Sequence, residues 1–142
     1  MIFVNLPVTD LARSIAFYEA AGATRNPKFS DDKSMCMVFS DTIHVMLLTR
    51  EKFAEFTSRP IADAHASVQT LLCLSADSRD HVDTIVGTAA ASGGVGDPNA
   101  LQDYGFMYCR SVEDPDGHIW EILWMDPAAA EKGAEAFETK AA

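Results

Sequence analysis

The chain has 142 residues, 48% of them hydrophobic and 23% charged, and its 11 basic against 21 acidic side chains leave a net charge of −10 at pH 7. A chain of this size buries roughly two-thirds of its unfolded surface, so one globular domain with its own core is expected and disorder is confined to the ends. No basic cluster is present to neutralise phosphates, which argues against nucleic acid and anionic membranes as partners; the acidic balance suits a solvated surface or a cationic ligand.

The opening, Met1 to Pro7, lacks the basic start and long apolar run of a signal peptide, and no 18-residue apolar stretch occurs, so a cytoplasmic protein is expected. Phe3 to Val8 reads as a strand. Thr9 or Asp10 caps a helix with apolar positions at Leu11, Ile15 and Tyr18, Phe17 beside them and Gly22 as a stop signal. Strand candidates follow at about 24–29, 35–39 and 42–49, separated by polar breaks. Residues 50–68 are mixed and punctuated by Pro60; within them Lys52 to Phe56 reads as a short helix that packs on a neighbour or covers a cavity mouth.

A strand at 70–76 then precedes a helix with Ser78 as N-cap, an apolar stripe of Val82, Ile85, Val86 and Ala89, and Gly93-Gly94 at its end. A short edge strand is expected near Val95. Tyr104–Val112 and His118–Trp124 form a hairpin across Asp114-Pro115-Asp116-Gly117, where proline pre-sets φ, the aspartates accept backbone hydrogen bonds and glycine tolerates positive φ. Residues 128–138 read as a terminal helix docking through Phe137. Cys36, Cys73 and Cys109 lie inside strand candidates without metal-ligand spacing and read as small hydrophobes in a reducing compartment.

The order β-α-β-β-β thus occurs twice. The expected fold is α+β: two βαβββ modules, at about 1–49 and 69–125 with a linker at about 50–68, forming a curved, partly open barrel-like sheet around a cleft. In the final strand, alternation sets His118, Trp120, Ile122 and Trp124 on one face and Ile119, Glu121 and Leu123 on the other. Glu121 is the one charge among aliphatic neighbours, and such a carboxylate needs a partner, a proton, a metal or water. Asn5 offers a donor and an acceptor toward the same cleft or pairs with Glu121. Tyr108 and Arg110, alternating with Tyr104, form either an anion-and-aromatic recognition patch or surface and interface packing.

The segments Leu6-Pro7-Val8-Thr9-Asp10-Leu11 through Phe17-Tyr18 and Glu113-Asp114-Pro115-Asp116-Gly117 through Glu121, with the duplicated order, resemble the vicinal-oxygen-chelate superfamily, the glyoxalase, bleomycin-resistance and extradiol-dioxygenase fold. The resemblance spans about residues 1–125. It implies a homodimer and, in metal-dependent relatives, four ligand positions that fall here at Phe3, at or near Leu47, at or near Leu71, and at Glu121. Phenylalanine and leucine donate to no ion, so neither metal nor any other cofactor is expected. His44 and His118 differ by odd numbers from these positions, which directs them to the opposite face unless a bulge intervenes. The resulting expectation is metal-independent binding of a small organic molecule in an apolar cleft lined by Phe3, Asn5, Leu47, Leu71, Tyr108 and Arg110, with Glu121 as polar anchor. The alternatives are a lyase, isomerase or dioxygenase-type enzyme using Glu121 as base or a metal in a shifted site, and a structural or regulatory dimer.

Overall fold

The computed structural model describes residues 1–133. The expected terminal helix begins as α4, Pro127–Lys132, while the docking role read for Phe137 lies outside the described residues. The first module consists of β1 (Ile2–Val8), α1 (Leu11–Ala20), β2 (Thr24–Asn26), β3 (Ser34–Ser40) and β4 (Ile43–Thr49). Its sheet runs β1-β4-β3-β2, with β1 parallel to β4 and the other pairs antiparallel. After α2 (Arg50–Ala54) and the linker come β5 (Leu72–Ser75), α3 (Arg79–Ala91), β6 (Val95–Gly96), β7 (Gln102–Asp103), β8 (Met107–Glu113) and β9 (Ile119–Met125). This second sheet runs β5-β9-β8-β6, with β7 also on β8 and β5 parallel to β9. The fold is α+β with two βαβββ modules; the second strand of the second module comes in two short pieces.

Local chemistry sets the helix starts. Asp10 accepts from Arg13 N at 3.0 Å and Ser78 from His81 N at 3.0 Å, each satisfying a donor left free in the first turn. Thr9, the other capping candidate, instead donates its backbone N–H and its hydroxyl to Asp116 of the far hairpin, at 2.9 and 2.8 Å. The strand expected over 24–29 stops at Asn26. Pro27 has no N–H for a ladder, and the Asn26 side chain accepts from Lys28 N, closing a 3-10 turn over Pro27–Phe29.

One core joins the modules. Val8, Phe17, Tyr18, Val45 and Leu47 from the first pack with Val82, Val86, Val112, Trp120 and Ile122 from the second. Thr88 Oγ1 on α3 donates to Ala20 O at the end of α1, 2.7 Å away. The helix-bearing faces of both sheets therefore meet in shared apolar packing. The opposite faces turn away from it. Phe3 is 50% and Leu71 48% exposed, and Asn5, Cys73 and Ser75 are exposed as well.

Candidate functional site

A cleft of about 500 Å³ opens where the C-terminal half of β1 meets the linker and the turn into β9. Val4, Leu6, Phe53, Ile61, Leu72 and Ile119 supply most of its apolar lining, and Asn5, Gln69 and His118, with the hydroxyls of Thr57, Ser67 and Thr70, its side-chain polarity. His118 is held by the hairpin turn. Its backbone N–H donates to Asp114 Oδ1 at 2.9 Å, and its ring Nε2 lies 2.9 Å from Pro7 O, a pairing that makes Nε2 the protonated nitrogen. The linker is seated against the same turn. Gly117 has φ +93°, and a Cβ there would stand 2.6 Å from His65 N and 2.7 Å from Ala64 C, so glycine is what lets the two backbones touch. His65 also sets its Nδ1 3.0 Å from Glu113 Oε1.

A buried network anchors the turn from behind. Asp114 is 2% exposed and receives Tyr18 Oη at 2.7 Å, besides the backbone N–H groups of Asp116 and His118. Trp120 Nε1 donates to the same tyrosine oxygen at 2.9 Å. Burial pushes the Tyr18 hydroxyl well above its ordinary pKa, and burial likewise raises the Asp114 carboxyl against the lowering pull of His118 and its donors. The Asp-Pro-Asp-Gly stretch is thus a rigid corner, fixed by the first module and facing the linker.

Asn5 lines the cleft. Phe3 does not: it stacks on His44, with ring centroids 4.7 Å apart, on the outer face of the first sheet. Leu47 is a correction. Parallel pairing sets it beside Leu6, and it is fully buried in the helix-side core, so Met46, paired with Asn5, takes the outward position. His44, paired with Phe3, shares that outer face, contrary to the alternation counted from Leu47. Its Nδ1 is buried without a hydrogen-bond partner among the described residues. The continuous apolar run Val45-Met46-Leu47-Leu48 hides its own alternation, and only the pairing with β1 reveals which side chains point where.

Leu71 is exposed just before β5 and lies outside the cleft, whose lining takes Thr70 and Leu72 instead. Tyr108 and Arg110 are also corrected as cleft residues, because they lie on the helix-facing side of β8. Tyr108 Oη donates to Asp83 at 2.7 Å, and Arg110 pairs with Asp83 at 2.9 Å and Asp97 at 2.6 Å. These bonds tie α3 and the β6 end to the sheet.

Glu121 stands on the outer face of β9, between Cys73 of β5 and Ser111 of β8. It is partly exposed and makes no hydrogen bond or ion pair among the described residues. Burial, then the Glu121 charge, raises both neighbouring thiols: Cys73 upward, and Cys109 to about 11, with Cys73 contributing last. Both cysteines are protonated at neutral pH and are weak nucleophiles. The residues do not fit a divalent metal. Phe3 and Leu71 have no donor atom, Leu47 faces the core, and Met46 offers only a thioether. Among the described residues no three His, Cys, Asp or Glu side chains converge on one point.

Also among the described residues, no helix is long and apolar enough to cross a membrane. Comparison with curated protein sequences finds no match. Solved structures share the fold. A hypothetical protein from S. aureus superposes with a TM-score of 0.73 at 22% identity, over 87% of this chain and 92% of that one. A glyoxalase-related enzyme from Fulvimarina pelagi gives 0.72 at 21% identity, covering 87% and 86%. A glyoxalase/bleomycin resistance protein/dioxygenase family enzyme from Burkholderia phytofirmans PsJN gives 0.68 at 18%, covering 87% and 96%. The sequence profile of one family matches residues 2–122, both modules and the linker together. With two βαβββ modules, the Asp-Pro-Asp-Gly corner and that match, the chain belongs to the Glyoxalase/Bleomycin resistance protein/Dioxygenase superfamily.

Proposed function

We propose that this protein binds a small organic molecule without a metal, in the cleft between β1 and the linker, and works as a homodimer. The cleft supports this reading: about 500 Å³, with a mostly apolar lining and a few polar groups, is within the range of small-molecule sites. Asn5 and Gln69 can each donate and accept hydrogen bonds, which suits orienting a ligand rather than transforming it. The half-exposed Phe3 and Leu71 support the dimer, since a second copy laid on these outer faces removes apolar side chains from water.

Isothermal titration against a library of small aromatic and amine compounds tests the binding. The expected result is saturable heat from some members, lost in Ser67→Trp, which fills the cleft from the linker, with an unchanged unfolding midpoint. No saturable heat from any compound sinks the reading. Analytical ultracentrifugation tests the dimer, and Phe3→Glu is expected to shift it to monomer.

A second reading is favoured by Glu121, a carboxylate with no protein partner among the described residues and turned to the outer face. It makes Glu121 a general base for a substrate held at the dimer seam. Turnover that survives Glu121→Gln unchanged removes it.

A further inference from the structure

We propose that the cleft continues into an oxyanion-binding compartment formed by Arg13 and Arg50, and that the ligand is an amphiphilic organic anion: an apolar body in the cleft and a carboxylate or phosphate at the two guanidiniums. This rests on the reading of the cleft as a ligand site. A second cavity of about 120 Å³ adjoins the first and shares Pro7, Ala62, Ala64 and His118 with it. That is room for a few water molecules, hence for a charged head group but not an organic body.

Both arginines line this cavity, one from α1 and one from the first residue of α2. In a chain with 21 acidic residues, Arg25, Arg79 and Arg110 each have a carboxylate partner. Among the described residues Arg13, Arg50 and Arg59 have none, and of these three Arg13 and Arg50 line the cavity. Arg13 donates to Thr9 Oγ1 at 3.3 Å and Arg50 to Ile61 O at 3.5 Å, which leaves most of their N–H groups unspent.

The cavity's own acids, Asp116 and Asp63, already accept hydrogen bonds from neutral groups of the protein. Asp116 accepts from Thr9 N and Thr9 Oγ1 and, at 3.3 Å, from Ser14 Oγ; Asp63 accepts from His65 N at 3.0 Å. His65 faces Glu113, and His118 is bonded to Pro7 O. The largest set of unspent donors lining the cavity is that of the two guanidiniums. Two planar cationic forks beside a small hollow match the geometry of a carboxylate or phosphate. The net charge of −10 opposes anions at long range, so the attraction is local and weakens with salt.

The test uses NMR-monitored titration of the full chain with 2-naphthol, 2-naphthoate, 2-naphthyl phosphate and inorganic phosphate. One or both charged naphthyl probes are expected to bind about tenfold more tightly than the neutral one. That gain is expected to vanish in Arg13→Gln and Arg50→Gln, with 2-naphthol affinity kept, and to persist in Lys28→Gln, which removes a distant charge. Inorganic phosphate is expected to shift the Nε–H signals of both arginines saturably. Carboxylate and phosphate heads are told apart by which charged probe gains more. If 2-naphthol binds and neither charged probe gains, the oxyanion compartment is overturned and the cleft reading stands. If no naphthyl probe binds, the cleft reading falls and the amphiphile with it, whatever inorganic phosphate does.

Discussion

The hydroxyl of Tyr18, on the helix of the first module, donates to the carboxylate of Asp114, in the hairpin turn of the second, across 2.7 Å and a sequence separation of 96 residues. Because Trp120 Nε1 donates to the same hydroxyl oxygen, one side chain satisfies two polar groups that burial would otherwise leave costly. The bond couples the core to the corner that supports the linker and the cleft.

Tyr18→Phe keeps the ring and removes both hydrogen bonds, leaving the Trp120 N–H without its acceptor. The expected loss is about 1–3 kcal/mol. Urea denaturation with an unchanged slope measures it. A loss within roughly 0.5 kcal/mol, the range of ordinary surface substitutions, would mean that the network adds nothing.

Leu47→Ala is expected to cost about 2–5 kcal/mol, as for a fully buried leucine, while Met46→Ala costs less because its side chain lies on the outer face. Equal costs at the two positions, or the reverse order, would contradict the pairing of Leu6 with Leu47.

Gly117→Ala places a methyl group against the backbone of Ala64 and His65 at a positive φ. The strain and the collision together are expected to cost roughly 1–3 kcal/mol and to displace the linker from the turn. Faster amide exchange at residues 63–66, with the β8 and β9 amides still protected, is the signature. Unaltered exchange at the linker would show that the contact does not hold it.

Asp103 is held at about 2, below the usual carboxylate value, first by the Arg79 guanidinium and next by the Gly105 N–H. Its folded value lies below its unfolded one. The stabilisation it contributes is therefore complete above about pH 4 and is lost as pH falls through about 2. Carboxyl-carbon NMR is expected to place the Asp103 midpoint near 2 in the native chain, moving toward the ordinary value in Arg79→Gln. A midpoint that stays in place in the variant would remove Arg79 as the cause.

The duplicated βαβββ order, the helix caps at Asp10 and Ser78, the Asp-Pro-Asp-Gly turn, and the Trp120 and Ile122 core face were all legible in the sequence. Each depends on short-range chemistry: a side-chain oxygen three residues before an amide, a fixed proline φ, an alternation of large and small faces. The family resemblance was legible for the same reason, since its motifs are contiguous. The linker's contribution to the cleft, the outward turn of His44, the inward turn of Leu47 and the placing of Arg13 and Arg50 along one cavity were not. Those depend on which strand pairs with which and on where an irregular segment comes to rest, and an unbroken apolar run or a loop has no periodicity to report either. Only the tertiary structure, through the parallel pairing of β1 with β4 and the seat of the linker on Gly117, decided them.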